Sequence, residues 1–151
     1  MKIKKSTSYN DNLNFGIIGN CKSSALINED SSIDWSCLPE FDSPSVFCKI
    51  LDEEIGGNFK IECDSSYSIN QYYIEKTCIL ITCFQNSKNK FEVIDFMPRY
   101  QKENGVYYSP PQIVRVLKLI KGNPKFKVMY DPRLSFSMGK TKNYIKENFI
   151  V

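Results

Sequence analysis

From Phe59 to Tyr130 the chain alternates apolar and polar residues with a period of two, and this pattern is what most restricts the fold. Phe59, Ile61 and Cys63 interleave with Lys60 and Glu62, Phe91, Val93 and Asp95 with Glu92, Ile94 and Phe96, and Phe126, Val128 and Tyr130 with Lys125, Lys127 and Met129. Side chains of a strand project alternately to its two faces, so each set reads as a strand with a core-facing side. Thr77 to Phe84 is almost continuously apolar, as expected for a strand covered on both faces. Asn86-Ser87-Lys88-Asn89 and Gly122-Asn123-Pro124 are turn formers. Residues 77–97 therefore form a hairpin, and residues 112–121 and 125–130 form two further strands. The spacing indicates an antiparallel β-sandwich, and an aromatic content of 13% suits it.

The first third of the chain is less regular. Residues 1–13 are polar and rich in Asn and Ser and are expected to be a flexible N-terminal segment ahead of a domain spanning 14–151. Ser24 to Ile27 and Ile33 to Leu38 flank the polar turn Asn28-Glu29-Asp30-Ser31-Ser32, which predicts a second hairpin. In its second strand Ile33, Trp35 and Cys37 would share one face, and Asp34, Ser36 and Leu38 the other. Pro39 ends that strand, because it cannot donate to a ladder. Ser43 and Pro44 suit the first positions of a helix, and Val46, Phe47, Ile50 and Leu51 have the spacing of one helical face. One short helix, stopped at Gly56-Gly57-Asn58, is thus expected within an all-β fold. Residues 99–111 read as a long polar and aromatic loop. Tyr144 to Val151 reads as the start of another strand ending on apolar residues, so the chain is expected to be a fragment of a larger two-domain protein.

Composition narrows the chemistry. The 151 residues contain no His, which rules out Ser-His-Asp triads, Cys-His dyads and imidazole bases within this chain. No metal or cofactor is expected: the six Cys include no C-x-x-C pair, and without His the usual zinc ligand sets cannot form. A net charge of +3 from twenty basic and seventeen acidic residues gives no reason to expect a nucleic-acid or membrane partner. Ser6 to Asn14 supplies no apolar signal region, so a cytoplasmic protein with reduced thiols, used as core fillers, is expected. What remains is carboxylates and aromatics. Asp34, Glu40 and Asp42 cluster around Trp35 and are candidates for a glycosidase pair, which needs two acidic groups at a set separation. The simpler assignment gives Asp42 a capping role and Asp34 hydrogen bonds from loop backbone. Trp35 is a candidate for stacking on a sugar or, as a lone Trp in a strand, for the core. Asp95 with Arg99 reads as a salt bridge at a strand end, and Arg115 as half of a pairing on a strand face.

The segment GIIGNCKSSALINEDSSIDWSCLPEFDSPSVF, followed in order by GGNFKIE, VIDFMPRY and QIVRVLKLIKGNPKFKVMYDPRLSF, resembles the trehalase-like N-terminal domain of glycoside hydrolase family 15 proteins, the glucoamylases, glucodextranases and trehalases. The likeness covers roughly residues 14–140, and separated segments in the right order are far more specific than one short motif. Asn20 stands where Asp is also common in the family, Ser36 replaces a large apolar residue, and Glu40 stands where a basic residue is frequent. The resemblance implies a non-catalytic β-sandwich packed on an (α/α)6 barrel that carries both catalytic glutamates for inverting α-glucoside hydrolysis. It therefore implies no catalytic residue here. It implies instead that the loop Pro39 to Pro44 borders the partner barrel and its pocket, with Asp34, Trp35, Phe41 and Asp42 as contributors and an α-glucan or α-glucoside as ligand. Two other readings stand beside it. One is a stand-alone carbohydrate-binding module using Trp35, Tyr107 and Tyr108. The other is a self-contained carboxylate enzyme built on Asp34 and Asp42.

Overall fold

The structure is a computed structural model and describes residues 14–139, 141–147 and 149–150. The expected flexible segment 1–13 lies outside the described residues. In chain order the strands are β1 (Phe15–Gly19), β2 (Ser24–Asn28), β3 (Ile33–Cys37), β4 (Ser45–Phe47), β5 (Phe59–Glu62), β6 (Ser68–Tyr73) and β7 (Leu80–Gln85). They continue as β8 (Lys90–Phe96), β9 (Tyr100–Gln101), β10 (Tyr107–Tyr108), β11 (Val114–Lys121), β12 (Lys127–Tyr130), β13 (Ile145–Lys146) and β14 (Phe149–Ile150). One sheet has the order β1-β2-β3-β5-β12, with β4 also on β3, and the other has the order β11-β8-β7-β6. All their pairings are antiparallel. Among the described residues no helix is long and apolar enough to cross a membrane.

The two sheets face each other across a common interior. Ile18, Ala25, Ile27, Ile33 and Phe47 from the first sheet cluster with Leu80 and Met97, and Ile61 clusters with Phe84, Phe91 and Val93 from the second. Phe59 touches both clusters. Phe84 and Phe91 stand opposite one another in register, their rings stacked at 4.8 Å. Each such aromatic is worth about 3–5 kcal/mol against truncation to alanine.

An ion pair lies inside this interior. Arg115 and Asp95 are opposed in register on β11 and β8, so their side chains leave the same face. The guanidinium donates through Nε at 2.7 Å and Nη2 at 3.0 Å to the two carboxylate oxygens, and both side chains are almost wholly buried. Nη1 donates to the Phe59 carbonyl of the opposite sheet at 2.7 Å. The pairing expected for Arg115 is therefore present. The one expected for Arg99 is not: Arg99, beyond the strand end and Pro98, lies over the Tyr107 ring at 4.4 Å.

Four other expectations change. The short helix at Ser43 to Leu51 is absent. Ser45–Phe47 instead pairs with β3 and buries Phe47, while Cys48 to Gly56 is a run of turns in which Asp52 accepts from the amides of Glu54 and Ile55. A two-turn helix has little stability of its own, and its apolar face would have needed Leu51, which is exposed. The aromatic loop at 99–111 contains the β9/β10 hairpin, and the C-terminal segment folds as the β13/β14 hairpin rather than one strand. Cys37 and Cys48 are buried as fillers, but Cys21 and Cys78 are exposed.

Candidate functional site

One extra residue reorganises β3. Leu26 pairs with Trp35 but Ile27 pairs with Ile33, so Asp34 is a β-bulge with no partner of its own. The bulge reverses the alternation. Ile33 enters the core, whereas Trp35 joins Leu26 and Ile17 in a row across the outer face of the first sheet. Ile33 and Trp35 therefore do not share a face, contrary to the strict period of two. Ser36 points inward, fully buried, and donates to the Ser24 carbonyl at 3.1 Å.

Asp34 is itself buried, in a polar network of turn residues. Ser32 Oγ donates to one carboxylate oxygen and Asn28 Nδ2 to the other at 2.9 Å. Asn58 Nδ2 in turn donates to Ser32 Oγ at 2.6 Å, and Asn28 Oδ1 accepts from the amides of Asp30 and Ser32. Burial pushes the Asp34 carboxyl above the usual carboxylate range, against the hydrogen bond from Ser32 and the charge of Lys49. Asp34 is thus a buried carboxyl held at both oxygens by turn residues at the bulge, and the bulge sets the direction of Trp35.

Trp35 has an aromatic partner from the far end of the domain. The Phe136 ring lies 6.1 Å away, tilted by 38°. The segment carrying it runs along β4: the Arg133 amide donates to Val46 at 2.8 Å, Ser135 to the Ser45 carbonyl at 3.0 Å, and Phe136 to Ser45 Oγ at 3.1 Å. Ser135, Phe136 and Ser137 have φ of 54°, 56° and 61°. Three successive non-glycine residues in the left-handed region cost roughly 1–2 kcal/mol each. Such strain persists only where surrounding contacts impose it. Gly57 lets the chain pass close just before this segment, because a Cβ there would lie 2.2 Å from the Asp131 carbonyl oxygen, at a φ of +68°. Leu134, Met138, Phe41, Leu51 and Ile55 are exposed on this segment and on the loops after β3 and β4.

Of the four residues singled out from sequence, Asp34 and Trp35 lie side by side on β3, and Phe41 and Asp42 sit exposed on the following loop. That loop is a tight turn, with the Ser43 amide on the Glu40 carbonyl and the Glu40 amide on Ser43 Oγ, tethered by a Lys22–Glu40 contact of 3.4 Å. Asp34, enclosed and doubly hydrogen-bonded, is not disposed to work with Asp42 as a hydrolytic pair. The residue missed in the sequence is Phe136. Tyr107 and Tyr108, exposed on β10, each carry a cation over one ring face, Arg99 at 4.4 Å and Lys102 at 4.3 Å. Among the described residues no group of three or more His, Cys, Asp or Glu is placed to hold a metal ion.

The sequence matches the family described as trehalase-like, N-terminal, over residues 12–150. It is 34% identical over 136 residues to a trehalase of Thermoplasma volcanium, covering 88% of this chain and 21% of that protein. It is 34% identical to trehalase 2 of Sulfolobus acidocaldarius over 83% of the chain and 19% of the relative, and 41% identical to trehalase 1 of that organism over 58% and 15%. No solved structure matches. The chain thus spans about a fifth of the length of the curated relatives it matches most fully. With a two-sheet antiparallel fold and a match that runs almost end to end, the chain belongs to the trehalase-like N-terminal domain family.

Proposed function

We propose that this domain is the non-catalytic β-sandwich of a family 15 glycoside hydrolase of glucoamylase or trehalase type, acting in the cytoplasm as a scaffold for an (α/α)6 catalytic domain that hydrolyses an α-glucoside. The observation that carries this reading is the outer face of the first sheet, where the Asp34 bulge and a strained segment bring Trp35 and Phe136 together, with Phe41 and Asp42 exposed on the loop that follows the same strand. A strained backbone that leaves Phe136 45% exposed over a half-buried Trp35 is better explained by a contact surface than by the stability of the sandwich. Phe41 and Asp42 would then border the substrate pocket of the adjoining domain, with Trp35 and Phe136 seating the interface.

The test has two arms. The chain alone is expected to release no glucose from trehalose, maltose or dextrin, and measurable release would overturn the assignment. In a protein in which this chain is continued by the remainder of the Thermoplasma volcanium trehalase, Trp35→Ala and Phe136→Ala should each lower activity at least about tenfold, the scale of a well-packed aromatic anchor. Unchanged activity in both variants would place the interface elsewhere.

A binding-module reading keeps one specific observation, the exposed Tyr100, Tyr107 and Tyr108 on the β9/β10 hairpin. Titration calorimetry of the chain with soluble α-glucan decides it. Heat that disappears in Tyr107→Ala would favour a module, and no heat at millimolar sugar removes it.

A further inference from the structure

β11 and β12 are edge strands of the two sheets and lie on the same side of the sandwich, linked across the interior by Arg115 on the Phe59 carbonyl and by Phe126 against Phe91 at 5.3 Å. Their core-facing residues follow from register. Leu117 and Leu119 stand opposite the buried Val93 and Phe91, and Val128 stands opposite the buried Ile61. Yet Leu117 is 39% exposed, Leu119 61% and Val128 49%. These side chains point to the inside of a sandwich that does not cover them.

The edge is also long. β11 has eight residues, with one bulge between Leu119 and Lys121, whereas natural edge strands are commonly short, because a free ladder of N–H and C=O groups pairs with whatever strand it meets. We propose that the β11/β12 margin is a strand-addition surface, which extends both sheets with strands from the polypeptide that follows this domain in its full-length relatives. This rests on reading the chain as one part of a longer protein, which spans about a fifth of its relatives' length. Charge gives the strands a chemistry. Lys118 and Lys121 lie on β11, with Lys125 and Lys127 on and before β12, so an incoming strand should alternate apolar residues toward the interior with acidic residues toward these lysines. A second copy of this chain meets the margin less well, because pairing β11 with β11 would set lysines against lysines.

Amide hydrogen exchange tests it, comparing the chain alone with the same chain continued by the stretch of the Thermoplasma volcanium trehalase that follows the matched region. Amides of Val116–Lys121 and Lys127–Tyr130 should exchange at least about tenfold more slowly in the longer protein, while β7 and β8 stay slow in both. Leu119→Asp should abolish the added protection without disturbing β7 and β8. Equal exchange at the margin in a folded longer protein would overturn the proposal. So would protection that rises with the concentration of the short chain, which would make a second copy the occupant. If the longer protein fails to fold, the continuation made separately and mixed with the chain gives the same readout. Activity plays no part in the measurement, so failure here is distinguishable from failure of the catalytic-scaffold reading, which shows as glucose release by the short chain or undiminished activity of the aromatic variants.

Discussion

The two sides of the sandwich are closed by different chemistry. At the β1/β6 side, side chains cross between the sheets as polar clasps: the Tyr73 hydroxyl accepts from the Ile17 amide at 2.6 Å and donates to the Ile17 carbonyl at 3.0 Å, and Gln71 Nε2 donates to the Asn28 carbonyl at 2.8 Å. At the β11/β12 side a single guanidinium crosses, and beyond it the core-facing Leu117, Leu119 and Val128 are uncovered. A short strand whose free backbone is already bonded by a side chain offers little to a further strand. A long strand with an apolar inner margin offers a great deal. Neither side is fully covered, since Ile69 on β6, opposite the buried Phe84, is 40% exposed; the difference is that Tyr73 and Gln71 already occupy backbone groups on the first sheet's edge at the β1/β6 side.

The largest effect should come from the ion pair that holds the open side together. Arg115→Met leaves the Asp95 carboxyl, whose pKa burial already raises, unpartnered at a fully buried site and frees the Phe59 carbonyl, a change worth about 3–5 kcal/mol. Urea unfolding of the variant should show this loss, and Asp95→Leu combined with Arg115→Met should recover much of it, since two apolar side chains remove the stranded carboxyl. A loss under about 1 kcal/mol in the single variant would mean that the pair does not hold this edge.

On the clasped side, stability should depend on pH through Asp34. Gln71 is anchored on the Asn28 carbonyl, and the Asn28 side chain holds the Asp34 carboxylate. Because burial raises the Asp34 pKa above its ordinary value of 3.8, the folded chain holds this proton more tightly than the unfolded chain does. The contribution of Asp34 to stability therefore grows as pH falls through the raised native value toward 3.8, and shrinks as pH rises. Asp34→Asn removes this dependence and loses one hydrogen bond, about 1 kcal/mol. The stability gap between parent and variant should thus be wider near pH 4 than near pH 7. An equal gap at the two values would show that Asp34 is not the group responsible.

Removing the clasp itself should cost less than breaking the ion pair. Tyr73→Phe deletes a hydroxyl bonded twice to Ile17 without changing the ring, so the expected loss is about 1 kcal/mol, with faster exchange of the Ile17 amide. If that amide exchanges no faster, the phenol is not what protects β1.

Much of the fold was legible because burial on one face enforces a period of two, and β5, β8, β11 and β12 carry it. Arg115 and Asp95 were harder to join. Arg99 is nearer in sequence, but only the β8/β11 register puts a guanidinium opposite the carboxylate. At the site, Asp34 and Trp35 drew notice as residue types, but their roles depend on one bulge. A single unpaired residue reverses a whole strand's facing and has no signature in hydropathy. The helix expected at Ser43 to Leu51 shows the same limit, since two turns of amphipathic spacing cannot compete with a strand pairing that buries Phe47. Phe136 was illegible for a different reason. Its direction depends on three left-handed residues, and the usual marker of that backbone, glycine, is absent from Ser135-Phe136-Ser137.

The smallest effect on the short chain is the one that most sharpens the contrast between the sides. Leu119 faces inward by register but is mostly exposed, so Leu119→Lys removes little buried surface and should change the stability of the chain alone by no more than about 0.5 kcal/mol. Leu80→Ala, at an inward position under the clasped side that is fully buried, should cost about 2–5 kcal/mol in the same assay. In the longer protein Leu119→Lys should become costly, because added strands would bury the position and a charge within it has no partner there. Position 119 thus reports on closure. A large loss in the short chain would mean that the margin is already packed, and a negligible loss in both proteins would mean that nothing packs against it.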